Sequence, residues 1–145
     1  MKKSRTLLLT TIKYLVLFAV FGLIYYGIEI WARGYSHAAM VAVGGVCGVV
    51  VGLINEELDF DMPLIWQMFI GAFCVTAIEF VSGLILNVWL GLNIWDYSCK
   101  PLNLMGQVCL ENSVYWYFLS GVAIVLDDYI RWLFFGEDKP HYRIF

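Results

Sequence analysis

Apolar residues run through this chain in four long stretches, punctuated by polar turns and by a few charged positions inside the stretches themselves. The first stretch, about Leu7 to Trp31, follows a basic head. It is longer than a secretory-signal core of about 7–15 residues, and no small-x-small cleavage site follows closely, so it is expected to be an uncleaved membrane helix. The turn Arg33-Gly34-Tyr35-Ser36 leads into a second span, about His37 to Ile54, with Ser36 as the expected N-cap. Along that span Gly44, Gly48 and Gly52 recur every fourth residue, with Gly45 beside them, which predicts a bare helix face for close packing. After the acidic loop Asn55-Glu56-Glu57-Leu58-Asp59-Phe60-Asp61, Pro63 is suited to the first turn of a third span ending near Leu90. At about 1.5 Å per residue that span reaches roughly 42 Å, more than the roughly 30 Å of a hydrocarbon core, so it must tilt or extend beyond the lipid.

Gly91 to Pro101 is a loop by composition, and Trp95 and Tyr97 suit a membrane interface. A helix is expected to restart near Pro101 and run into a fourth span ending near Phe135. Its first part, Leu102 to Asn112, is too polar to face lipid all round, so it should be re-entrant or packed inside the protein. The expected fold is therefore all-α: an integral membrane bundle of about four transmembrane helices with a re-entrant or packed outer segment before the last span. Residues 1–135 form one helical domain, and residues 136–145 a short, frayed cytoplasmic tail.

Composition agrees with the pattern: 61% of residues are hydrophobic and 14% charged, with mean hydropathy +0.76. A soluble domain of 145 residues carries more polar surface. Lys2, Lys3, Arg5 and Lys13 at the start, and Arg131, Lys139 and Arg143 at the end, outnumber Arg33 and Lys100 on the other side. That asymmetry places both termini in the cytoplasm of a multi-pass cell-membrane protein. There is no GxxxxGK[ST] phosphate loop, no basic nucleic-acid surface and no zinc spacing among the cysteines and histidines. Neither cofactor nor metal is expected. Cys47 and Cys74 read as small buried hydrophobes, while Cys99 and Cys109 flank the outer loop, where a disulfide and two free thiols are equally compatible with the sequence.

The interior charges carry the candidate chemistry. Glu29, Arg33 and His37 are spaced four apart, so Glu29 and Arg33 can pair across a helix turn; the turn at Gly34 places His37 at the start of the next span. Glu79 stands about 24 Å along span three, where a charge costs about 2.5–3.5 kcal/mol. Thr76, Ser82, Gly83 and Asn87 share its face and predict a polar stripe toward the bundle interior, with Glu79 protonated or paired to Arg33. Asn103, Gln107 and Glu111 would form a third stripe if the helix has restarted by Asn103. Asp127, Asp128 and Arg131 read as an interface anchor near the inner end. The expected ligand-binding set is Glu29, Arg33, His37, Glu79, Asn87, Asp96 and Asn103.

The pieces GIEIWARGYSH, the glycine-rich second span, QMFIGAFCVTAIEFVSGLILN, and WDYS followed by PLNLMGQ resemble, in order, the CmpB-like permease family of small ABC-transporter type IV membrane proteins. The family pattern covers Glu29, Arg33, Gly34, His37, Glu79, Gly83, Asn87, Trp95, Asp96, Tyr97, Ser98, Pro101, Asn103 and Gly106. The resemblance implies a multispanning permease, and with four spans and no ATPase domain this chain would not be an ABC transporter by itself. The expected function is a permease-like or channel-like subunit that binds a small polar or ionic ligand. It would be surrounded by membrane lipid and assembled with a second copy or another membrane subunit. The alternatives are a membrane-embedded enzyme acting on lipid or envelope precursors, in which Glu79 is acid or base and Arg33 a phosphate contact, and a non-catalytic scaffold or regulator. No nucleophile with its base stands out.

Overall fold

Unbroken apolar sequence and the absence of proline before Pro63 let the first two spans form long helices. The computed structural model describes residues 2–58 and 61–145, so Asp59 and Phe60 of the acidic loop lie outside the described residues. Helix α1 (Lys2–Arg33) is followed by α2 (Ala39–Gly52) and a short turn of helix, α3 (Ile54–Glu57). Helix α4 (Leu64–Gly83) continues as a π-helical turn over Leu84–Trp89, a two-stranded hairpin β1 (Asn103–Leu104) and β2 (Val108–Cys109) follows, and α5 (Leu110–Phe135) closes the bundle. Among the described residues, three helical stretches are long and apolar enough to cross a membrane: 3–33, 39–57 and 64–89. Helix α5 has 26 residues, about 39 Å of helix, and packs along α4. Its lower apolarity comes from polar positions turned inward, Ser120, Asp127, Asp128 and Arg131, all buried. The architecture is an all-α membrane bundle.

Packing is organised as two helix pairs. Helix α1 packs chiefly on α2, and α4 on α5, while α2 bridges the pairs and α1 barely meets α5. The glycine face of α2 is what brings α1 close. A Cβ at Gly48 would lie 2.2 Å from Phe21 Cβ, and one at Gly44 2.4 Å from Tyr25 Cβ. Gly52 instead abuts the Asp127 carboxylate of α5, 2.3 Å from where its Cβ would stand. The glycines of span two are thus packed against other parts of the chain. Below the α1–α2 contact, Cys47, Val51, Ile54, Val75 and Ile124 form the main apolar core.

Three local expectations are corrected. Ser36 does not cap α2, which starts only at Ala39; Ser36 Oγ donates to Glu29 instead, and His37 Nδ1 accepts the Ala39 N–H at 3.1 Å. No helix restarts at Pro101. The chain forms the hairpin, paired Asn103 to Cys109 and Leu104 to Val108, and α5 begins at Leu110. The hairpin turn uses left-handed backbone at Met105 and Gly106, which a continuing helix would forbid. Nor is the tail frayed. Leu64 N donates to Arg143 O at 2.7 Å, and Tyr142 Oη donates to Asp128 at 2.8 Å, tying the tail across the end of α4 and α5. Burial against Asp128 pushes the Tyr142 hydroxyl pKa up from its ordinary value. All four cysteines are free thiols, with Cys109 buried and Cys99 exposed.

Candidate functional site

Four-residue spacing places Gln67, Gly71, Val75, Glu79 and Gly83 on the buried face of α4. Glu79 is 3% exposed. Its carboxylate accepts hydrogen bonds from Trp116 Nε1 at 2.9 Å and Tyr97 Oη at 3.1 Å, and Asn112 of α5 is a third neutral donor. No ion pair reaches Glu79 among the described residues. Arg33, its candidate partner, is committed elsewhere: Nη2 donates to Glu29 at 2.7 Å, and Nη1 to the Ile94 carbonyl at 3.1 Å. Ser36 Oγ also donates to Glu29. Tyr97 stands between the two groups, bonded to Glu79 and within the fields of both Arg33 and Glu29. Burial, then the Glu79 charge, holds its hydroxyl pKa above the ordinary tyrosine value.

The segment between α4 and α5 covers this site through Tyr97, and its own polar residues hold it in shape. The π-helical turn aims Asn87 inward. Asn87 Oδ1 accepts the Ile94 N–H at 2.7 Å, and Nδ2 donates to Gln107 Oε1 at 3.0 Å. Trp95 Nε1 donates to the Gln107 carbonyl at 2.9 Å, and Tyr97 N to the Gly106 carbonyl at 2.7 Å. Gly106 takes φ +70° with the Ser98 and Asp96 side chains packed on it, so a side chain there would meet both strain and collision.

The expected ligand set therefore divides. Glu29, Arg33, Glu79 and Asn87 lie inside or beside the polar interior. Asp96 is exposed and accepts from the Ser98 hydroxyl and N–H, which hold its carboxyl pKa below the usual range. Asn103 fastens the hairpin: its amide donates to Lys100 O at 2.8 Å, and its Oδ1 accepts the Gly106 N–H at 3.0 Å. His37 is an exposed helix-start acceptor. The third stripe does not exist as a helical face, because Gln107 is buried under Trp95 while Glu111 is exposed and paired with Lys100 at 2.9 Å.

What the sequence undervalued is the other end of α5. Asp127 is fully buried and accepts from Arg131 Nε at 2.6 Å, with Arg131 1% exposed. Glu56 and Glu137 flank the same guanidinium at 3.6 and 3.8 Å. Asp128 is held by Asn55 at 2.6 Å and by Tyr142. The spacing of Asp127, Asp128 and Arg131 reads as an interface anchor, whereas the structure buries all three; the signal missed was Gly52, whose bare face receives Asp127.

A small multispanning membrane protein with a polar centre walled in by its own helices is the class that this fold and interior define. The chain belongs to the family described as Putative ABC-transporter type IV, which matches residues 14–133. No curated protein and no solved structure matches it.

Proposed function

We propose that this chain is a permease-like membrane subunit whose ligand is a small cationic species bound at Glu79. The observation that carries this reading is the composition of the carboxylate's surroundings. Glu79 is buried among the neutral donors Tyr97, Trp116 and Asn112, while Glu29 and Asp127 have arginine partners and Asp128, held by Asn55 and Tyr142, lies in the field of Arg131. A carboxylate kept inside a membrane without a countercharge is completed by a proton or a bound cation, and such residues mark ion and substrate pathways. Family membership supports a transport role at the level of class. In this reading a bundle this small does not enclose a continuous pathway by itself. A second copy or another membrane subunit completes it.

In this reading the protein sits in the cell membrane with Glu79 nearer the outer face and both termini in the cytoplasm. Proteoliposomes carrying the full chain under an imposed cation gradient test the function. Flux is expected to depend on Glu79 and to vanish in Glu79→Gln, and equal flux in both proteins contradicts the reading. Cysteine labelling at the tail and in the Trp95–Lys100 loop tests the topology: the two positions are expected to label from opposite sides, and labelling from one side removes the four-span arrangement.

A further inference from the structure

The seam where α1 and α5 barely touch contains an apolar cavity of about 100 Å³. Phe21, Ile24, Gly44, Gly48, Leu119 and Ala123 line it. Its rim includes Val122 and Ile24, which are exposed on the outside of the bundle, so the cavity faces lipid. Tyr25 and Trp116 belong to its wall and also to the surroundings of Glu79. Their rings stack with centroids 5.5 Å apart, and Trp116 Nε1 is one of the donors that hold the carboxylate. The aromatic pair is thus the partition between an apolar chamber and a buried acidic group. Ser120 Oγ, 2% exposed and without a hydrogen-bond partner, also lines the chamber.

We propose that the α1–α5 cavity and Glu79 form one site for an organic cation with an apolar body, admitted from the lipid side past the Tyr25–Trp116 pair. The proposal rests on the reading of Glu79 as a cation site and adds the ligand's class. Charge decides the sign: Arg33 is paired with Glu29, and no basic side chain pairs with Glu79 among the described residues. The wall decides the body, since apolar side chains favour a hydrocarbon or ring. The faces of Tyr25 and Trp116 favour a cationic head over a neutral one. An anionic or strongly hydrated ligand finds neither a basic group nor a polar wall in the cavity.

Titration calorimetry on the full chain in detergent micelles tests this, with benzyltrimethylammonium as the probe and neopentylbenzene as its neutral isostere. Saturable binding of the cation is expected, about tenfold or more tighter than the isostere. Glu79→Gln is expected to lose about tenfold or more in affinity for the cation. So is Ala123→Leu, which fills the cavity without touching the carboxylate. Absence of cation binding, equal binding of the isostere, or unchanged affinity in either variant overturns the proposal. The isostere comparison uses the unmodified chain, so it decides even where a variant fails to fold. Glu79-dependent flux of a small inorganic cation without benzyltrimethylammonium binding removes this proposal alone; absence of both removes the reading beneath it as well.

Discussion

Glu79 and Asp127 are both buried carboxylates on helices of one bundle, yet they are solved in different ways. Asp127 faces an arginine one turn away at 2.6 Å, with Gly52 making room and Glu56, Glu137 and the tail closing around the pair. Among the described residues Glu79 faces neutral donors, drawn from a loop and from α5. The first arrangement pairs its carboxylate with an arginine, and its parts come from α2, α3, α5 and the tail, so it ties those elements together. The second holds its carboxylate by hydrogen bonds, the arrangement on which the proposed cation site rests. The comparison teaches that burial alone does not mark a ligand site. The two carboxylates differ in their partners: an arginine for Asp127, and neutral donors for Glu79.

The largest expected effect breaks the Asp127–Arg131 arrangement. Arg131→Met strands Asp127 in the interior, and removing one partner of a buried pair destabilises by about 3–5 kcal/mol. Unfolding measured in detergent should show that loss, and a near-neutral result would remove the contrast between the two ends. A smaller effect separates general packing from both carboxylates. Gly48→Leu drives a side chain into Phe21 and should destabilise by about 1–3 kcal/mol. It should exceed Val50→Leu, a half-buried position on the same helix. Equal losses would mean that the α1–α2 contact tolerates side chains.

The smallest effect concerns the segment between α4 and α5. The folded pKa of Asp96 is depressed by Ser98, so its contribution is present above the ordinary aspartate value of about 4 and disappears as pH falls through the lowered value. Hydrogen exchange at the Ser98 amide should therefore become less protected in strong acid than its intrinsic rate predicts. Asp96→Ala should remove that pH dependence, and an unchanged profile in the variant would show that the turn is held by other contacts.

Much of this was legible in the chain. Spans one to three end within a few residues of their apolar runs, because in lipid only a helix satisfies the backbone along such a run. Glu79 stood out as a charge with polar residues at helical spacing. Its partners did not, since Tyr97 comes from a loop and Trp116 from a helix 37 residues away in sequence. The start of α5 was misplaced because Asn103, Gln107 and Glu111 have helical spacing by coincidence; the left-handed residues at 102, 105 and 106 are what interrupt it. Asp127, Asp128 and Arg131 were visible as a cluster, but i,i+4 pairs look the same on a surface and in an interior. Contacts distant in sequence fix their burial: Gly52 of α2, Asn55 and Glu56 of α3, and the tail folding back over them.

The most direct test of the central claim measures unfolding stability and cation binding on one variant, Glu79→Gln, beside Arg131→Met. The amide keeps the shape of the side chain and can still accept from Trp116 or Tyr97. Stability is therefore expected to stay within about 1 kcal/mol of the unmodified chain, while cation binding falls about tenfold or more. A variant that loses stability as Arg131→Met does, while binding the cation as well as the unmodified chain, would contradict the account.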